Sequence, residues 1–178
     1  KQFEFLYVGR IEPHKNLRYL LETFKEVFHD AQVSLKIVGE GSELSILEKE
    51  FSESNITFTG KLFENDLKQA YESASVFVLP SLFEPWGLVV NEAMAQGLPV
   101  ITSKFVGANA DLLEGKETGL IFDPEIKGDL GVQMKRMCTD VSYYQRASKN
   151  AFNLLHSYWN YDLYSKQLLL AIYKMKND

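Results

Sequence analysis

Short apolar runs alternate along this chain with longer segments whose apolar residues recur every three to four positions. Phe3–Val8 is rich in aromatic and branched residues and stops at Gly9, so it reads as a β-strand. After the loop Gly9–Lys15, Asn16 stands where a helix cap belongs, and Leu17, Leu20, Leu21, Phe24, Val27 and Phe28 keep the helical period. Val33–Val38 is a second strand, closed by Gly39-Glu40-Gly41-Ser42. Ser42 with Glu43 then opens a helix carrying Leu44, Leu47 and Phe51. A third strand, Ile56–Thr59, ends at Gly60. A helix around Asp66–Ser73 follows, and then Val76–Leu79, apolar throughout. Pro99–Thr102 and Thr118–Phe122 supply a fifth and a sixth strand. Helices over about Asp129–Thr139, Ser142–His156 and Tyr161–Lys174 complete the chain, the last one after the cluster Tyr158-Trp159-Asn160-Tyr161.

Strands alternating with helices at this spacing imply βαβ units, hence an α/β fold: a doubly wound, six-stranded parallel sheet of Rossmann-like type, covered on both faces. The commonest order for six such strands is 3-2-1-4-5-6. Ligands then bind beyond the carboxyl ends of the strands, where the order reverses between the first and the fourth. The loops trailing those two strands are Gly9–Lys15 and Pro80–Gly87. One offers Arg10 and Lys15. The other offers Glu84 and a glycine that opens a helix.

The residue types say what such a crevice suits. Arg10 grips phosphate oxygens in a bidentate fork, and Lys15 adds a point charge. Gly87 removes the Cβ that would keep a ligand from backbone N–H groups, and the start of a helix favours anions. Glu92, little more than one turn into that helix, is placed to accept hydrogen bonds from hydroxyls. Two carboxylates flanked by Phe83, Trp86 and Leu88 are costly unless paired or solvated, which points to an external partner. Phosphate donors with hydroxyl acceptors describe a nucleotide-sugar site better than a plain anion site. On spacing alone, Glu84 and Glu92 also fit helix-dipole partners or solvated side chains, and Arg10 and Lys15 fit surface charges. Gly39-x-Gly41 is half of a dinucleotide fingerprint, but Leu44 stands where the third glycine belongs. His14 reads as a loop residue, and Tyr158 and Trp159 as anchors of the last helix. No Asp-x-Asp pair or His/Cys cluster suggests a metal.

Composition narrows the classes. At 178 residues the chain is one domain, 46% apolar and 24% charged, the mixture of a soluble protein. No apolar run approaches the roughly 20 residues of a membrane span. The net charge of -5 and the lack of a basic face argue against nucleic acid. The single cysteine, Cys138, allows no internal disulfide and fits a reducing compartment, so a cytoplasmic location is expected. The opening residues alternate like a strand and carry no apolar leader, so the chain is expected to be cut from something longer.

With these residues in view, the chain resembles, over essentially its whole length, the nucleotide-binding C-terminal domain of retaining GT-B glycosyltransferases of family 4. The most specific element is Glu84-Pro-Trp-Gly-Leu-Val-Val-Asn-Glu92 followed by Ala-Met-Ala-Gln-Gly-Leu-Pro-Val. Val8-Gly9-Arg10 with Lys15-Asn16, Ile37-Val38-Gly39-Glu40-Gly41, and Thr118-Gly-Leu-Ile-Phe-Asp-Pro124 support it. The resemblance implies that Arg10 and Lys15 bind the donor diphosphate and stabilise the leaving nucleotide. It implies that Glu84 contacts the transferred sugar and Glu92 the ribose, while Gly87, Leu88 and Val89 present backbone N–H groups. Gly9, Gly39, Gly41, Lys61 and Leu62 would lie along the nucleotide, near its base and ribose. The donor would be a UDP-, GDP- or ADP-sugar, used without a metal cofactor, and the acceptor a growing saccharide or a lipid-linked sugar. The acceptor domain would precede this one and be absent here, leaving the isolated domain inactive. Any peripheral membrane attachment would belong to that part. The family often has Gly-Gly-x-Pro-Glu after the fifth strand; here Val106-Gly107-Ala108-Asn109-Ala110-Asp111 stands instead. Alternative readings of the scaffold are a non-catalytic nucleotide-binding module, or a GT-B phosphorylase or epimerase.

Overall fold

The structure, a computed structural model, describes residues 2–29, 32–159 and 161–177. Six strands form one parallel sheet: β1 Phe3–Val8, β2 Val33–Val38, β3 Ile56–Phe58, β4 Val76–Leu79, β5 Val100–Ser103 and β6 Gly119–Phe122. Their order is β3-β2-β1-β4-β5-β6, the doubly wound order expected from the sequence, with its reversal between β1 and β4. Every residue of β4 and β5 is buried, as central strands covered on both faces require. β1 and β2 pair without offset from Phe3↔Val33 to Val8↔Val38. Both strands therefore end on a glycine, Gly9 and Gly39, at the same level.

Side-chain alternation assigns the helices to faces. Phe5 lies on one face of β1 and meets Phe24 of α1 Leu17–Val27, with ring centroids 6.4 Å apart. Phe77 points to the opposite face, since it pairs with Leu6, and meets Tyr71 of α3 Glu64–Ser73 at 6.2 Å. α2 Leu44–Glu50 buries only Leu47. α4 Leu88–Ala95 follows β4, and α6 Asp129–Thr139 packs on α1, where Gly131 lies close against Thr23 and Val27. α7 Val141–Tyr158 reaches from α6 to α4, and α8 Tyr161–Asn177 ends the described chain.

Several ends differ from the pattern reading. Ser42 does not cap α2: its N–H and hydroxyl donate instead to the Glu12 carboxylate, at 3.2 and 2.6 Å. Asn16 precedes α1 in a left-handed conformation (φ 57°) with no side-chain cap. Asp140 does cap a helix: it accepts from Tyr143 N–H at 2.9 Å and starts α7. A short helix, α5 Asn109–Leu112, to which the pattern assigned no element, follows β5. Asn160 of the aromatic cluster lies outside the described residues. Among the described residues no helix is long and apolar enough to cross a membrane, and no group of three or more His, Cys, Asp or Glu could hold a metal ion.

Candidate functional site

The loops after β1, β2 and β3 are stitched together by their backbones. Gly9 N–H donates to Val38 C=O (3.0 Å), Ile11 N–H to Glu40 C=O (2.8 Å) and Gly39 N–H to Gly60 C=O (2.9 Å). Gly39 has φ 146°, and a Cβ on it would overlap the Gly9 carbonyl oxygen; one on Gly41 would overlap the Ile11 carbonyl. The glycines are required by close approach of two loops, and the loops enclose a cavity of about 460 Å³. Gly9, Arg10, Gly39, Gly41, Lys61 and Leu62 all line it, with Leu67 of α3. Residues singled out on three separate loops are thus brought to one hollow.

Arg10 is exposed, and among the described residues no ion pair holds it. Its backbone is pinned from below. The fully buried Tyr7 donates its hydroxyl to Arg10 C=O at 2.6 Å. Burial first, then the nearby charge of Glu84, pushes the Tyr7 phenol far above its ordinary range, while Arg10 acts in the opposite direction. This phenol therefore keeps the proton that it donates to Arg10 C=O. Pattern reading saw Tyr7 only as a strand residue, because nothing in a strand run distinguishes a buried phenol from Phe.

Across the reversal, Lys15 and Glu84 form an ion pair, with side chains 12% and 14% exposed. The two loops are also joined by Leu82 N–H donating to His14 C=O at 2.8 Å, so His14 contributes its carbonyl to this contact. Glu84 is braced from β5 as well. Its N–H donates to Phe105 C=O (3.2 Å) and its C=O accepts from Gly107 N–H (2.8 Å), forming a bridge to Val106. Ala108 N–H donates to Trp86 C=O at 3.0 Å, and a Cβ on Gly107 would overlap the Pro85 carbonyl. Behind them buried Asn109 donates to Ser103 C=O (2.8 Å) and accepts from the Thr102 hydroxyl (2.6 Å). The stretch Val106–Asp111 is therefore the backing of the Glu84 loop. Asp111 itself is exposed on α5.

Gly87 adopts φ 98° and turns the chain into α4. Leu88 and Val89 are the first residues of that helix, where N–H groups have no acceptor within the helix. Trp86 is fixed by its indole N–H to Asn91 Oδ1 (2.9 Å) and by the ring of Trp159, 5.3 Å away. Glu92 lies one turn further on, exposed, and accepts from the Tyr71 hydroxyl at 2.8 Å. Leu67, one turn before Tyr71 on α3, lines the first cavity, and Glu92 does not line it. Glu92 borders instead a second, mostly apolar cavity of about 700 Å³ with Ala95, Leu155, Trp159 and Tyr164. The two carboxylates of the Glu84–Glu92 motif are thus held separately, Glu84 by a cation and Glu92 by a phenol. Tyr71 is the residue that pattern reading missed here; a polar tip on an otherwise buried helix face was the available signal.

Residues 1–154 match the family described as glycosyl transferases group 1. The chain is 37% identical over 139 residues to sulfoquinovosyl transferase SQD2 of Arabidopsis thaliana, a match that covers 76% of this chain and 26% of that protein. Its structure superposes on sucrose-phosphate synthase from Thermosynechococcus elongatus with a TM-score of 0.83 at 27% identity, covering 99% of this chain and 46% of that one. The Anabaena protein HepE, solved in complex with UDP-glucose, shares the fold at a TM-score of 0.81 and 21% identity, over 98% and 49% of the two chains. The chain accordingly spans less than half the length of each of these proteins. Its all-parallel sheet with flanking helices is the Rossmann-like architecture of GT-B glycosyltransferase structures. With the family matched over 154 residues, from Lys1 through most of α7, the chain belongs to the glycosyl transferases group 1 family.

Proposed function

We propose that this chain is the donor-binding, C-terminal half of a retaining glycosyltransferase, which moves a sugar from a nucleotide-diphosphate sugar to a saccharide or lipid-linked acceptor. The observation that carries this reading is the meeting of Lys15, on the loop that also carries Arg10, with Glu84, on the loop that leads into α4, at the reversal of strand order. An ammonium has three donors. One is taken by Glu84, and among the described residues no other acceptor takes the remaining two, which can face phosphate oxygens. Arg10, unpaired among the described residues, supplies the second cation.

In this reading the diphosphate lies against Arg10, Lys15 and the N–H groups of Leu88 and Val89. Charge that builds on the leaving phosphate is met by donors already in position, so little reorganisation is needed as the bond breaks. Glu84, braced by the β5 loop, accepts hydroxyls of the transferred sugar. Gly39, Gly41, Lys61 and Leu62 border the nucleoside, and Glu92 accepts ribose hydroxyls. No side chain in this chain is assigned as a nucleophile; departure and attack occur on one face of the sugar, assisted by the leaving phosphate. The acceptor site belongs to a preceding domain, and turnover requires it.

Calorimetry with UDP, GDP and ADP, and with their sugars, tests the reading. One nucleotide binds, and Arg10→Ala and Lys15→Ala each weaken it by about 1.5–3 kcal/mol, the scale of a hydrogen bond to a charged group. Unchanged affinity in both variants refutes the diphosphate assignment. A folded sample that binds none of the nucleotides at millimolar concentration refutes the function.

A further inference from the structure

The Glu92 carboxylate has a protein partner that the donor site does not account for. Tyr71 reaches it from α3, twenty-one residues earlier in the chain, and donates to Oε2 at 2.8 Å. The residue is 4% exposed, and its ring packs on Phe77 of β4 with centroids 6.2 Å apart. Glu92, by contrast, is exposed. The phenol is thus a fixed post and the carboxylate a side chain that would otherwise sample several rotamers at the surface. One carboxylate oxygen is engaged by Tyr71, and among the described residues the other accepts no hydrogen bond.

We infer that Tyr71 is a positioning residue for ligand recognition: it orients the Glu92 carboxylate so that its second oxygen meets the vicinal hydroxyls of a nucleoside ribose. This rests on the proposed function, in which Glu92 serves the ribose. Burial, and then the charge of Glu92 itself, pushes the Tyr71 phenol far above its ordinary range. It stays uncharged well into alkaline pH, so it keeps the proton that it donates to the carboxylate. Ordering a Glu side chain before the ligand arrives removes rotamer entropy that binding would otherwise have to overcome. Leu67, on the same face of α3 one turn away, lines the cavity of the loops after β1 and β2, so the helix that carries the post also contributes to that cavity.

The test takes whichever of UDP, GDP and ADP binds and compares it with its 2′,3′-dideoxy analogue by calorimetry, in the unaltered chain, Tyr71→Phe, Glu92→Gln and the double variant. The unaltered chain should prefer the ribonucleotide by about tenfold or more, the scale of hydrogen bonds to a charged group. Tyr71→Phe keeps the ring against Phe77 and should lose at least about threefold of that preference. Its affinity for the dideoxy compound should stay unchanged, which a merely structural defect would not allow. Glu92→Gln should remove most of the preference, and adding Tyr71→Phe to it should remove no more. Should Tyr71→Phe keep the full preference while Glu92→Gln loses it, the positioning role is overturned and the ribose assignment stands. Should Glu92→Gln keep the preference, the ribose assignment falls and this inference with it. Loss of affinity for both compounds alike in Tyr71→Phe would make Tyr71 structural and also overturn the role.

Discussion

The ion pair between Lys15 and Glu84 joins two loops that are 69 residues apart in the chain, and it predicts a specific pattern of stability. Lys15→Met removes the ammonium and keeps most of the stem. Glu84 is then an unpaired carboxylate at 14% exposure. Breaking a fully buried pair costs about 3–5 kcal/mol, and the water that still reaches this crevice lowers the figure to about 2 kcal/mol. Glu84→Gln strands the ammonium at 12% exposure for a similar cost. The double variant leaves no stranded charge and should cost only about 1.5 kcal/mol, near the value of a lost hydrogen bond. Two singles of about 2 kcal/mol and a double of about 1.5 kcal/mol give a coupling of about 2.5 kcal/mol. Urea unfolding of the four proteins measures it, at constant m-value. A coupling below about 0.5 kcal/mol would refute the claim that the pair holds the two loops together. Raising the salt to 1 M should leave most of the coupling in place, because the pair is largely shielded from solvent.

Two further perturbations follow from the geometry. Gly39→Ala places a methyl group onto the Gly9 carbonyl and holds a non-glycine residue at φ 146°, so it should cost about 2–5 kcal/mol from overlap and backbone strain together; Gly60→Ala, whose Cβ would meet open space, should cost less, and equal midpoints in thermal unfolding would count against the close-approach argument. Cys138 is pushed up from 9.0 to about 12 by burial, and the Tyr7 and Tyr71 phenols are raised above their ordinary 10.0. Folded pKa values above the unfolded ones mean stability that is complete below pH 9 and lost as pH rises through the folded values. Urea midpoints should therefore fall steadily above pH 9, with the first part of the fall flattened in Cys138→Ala; a constant midpoint up to pH 11 would contradict the burial of these groups.

Much of this protein is written in its apolar pattern. β1, β2 and β4 lie where strand periodicity puts them, and α6 spans Asp129–Thr139 as read. Burial on both sheet faces demands unbroken apolar runs, and an exposed helix demands its 3.6-residue stripe, so element type survives without knowledge of neighbours. The strand order was legible for the same reason: βαβ units with short loops leave few ways to cover both faces. That order alone already placed Gly9–Lys15 opposite Pro80–Gly87.

What only the tertiary structure decided are partnerships across loops. Ser42 is a sound cap by type, but Glu12 competes for its hydroxyl and N–H and wins, because Ile11 is fastened to Glu40 and brings that carboxylate alongside. Val106–Asp111 departs from the expected motif, and only its backbone bonds to Glu84 and Trp86 show it to be a brace. Glu84 and Glu92, which share one motif along the chain, are answered by Lys15 from the loop after β1 and by Tyr71 from α3. Local sequence determines which residues could pair. The sheet, by fixing which loop ends lie side by side, determines which of them do.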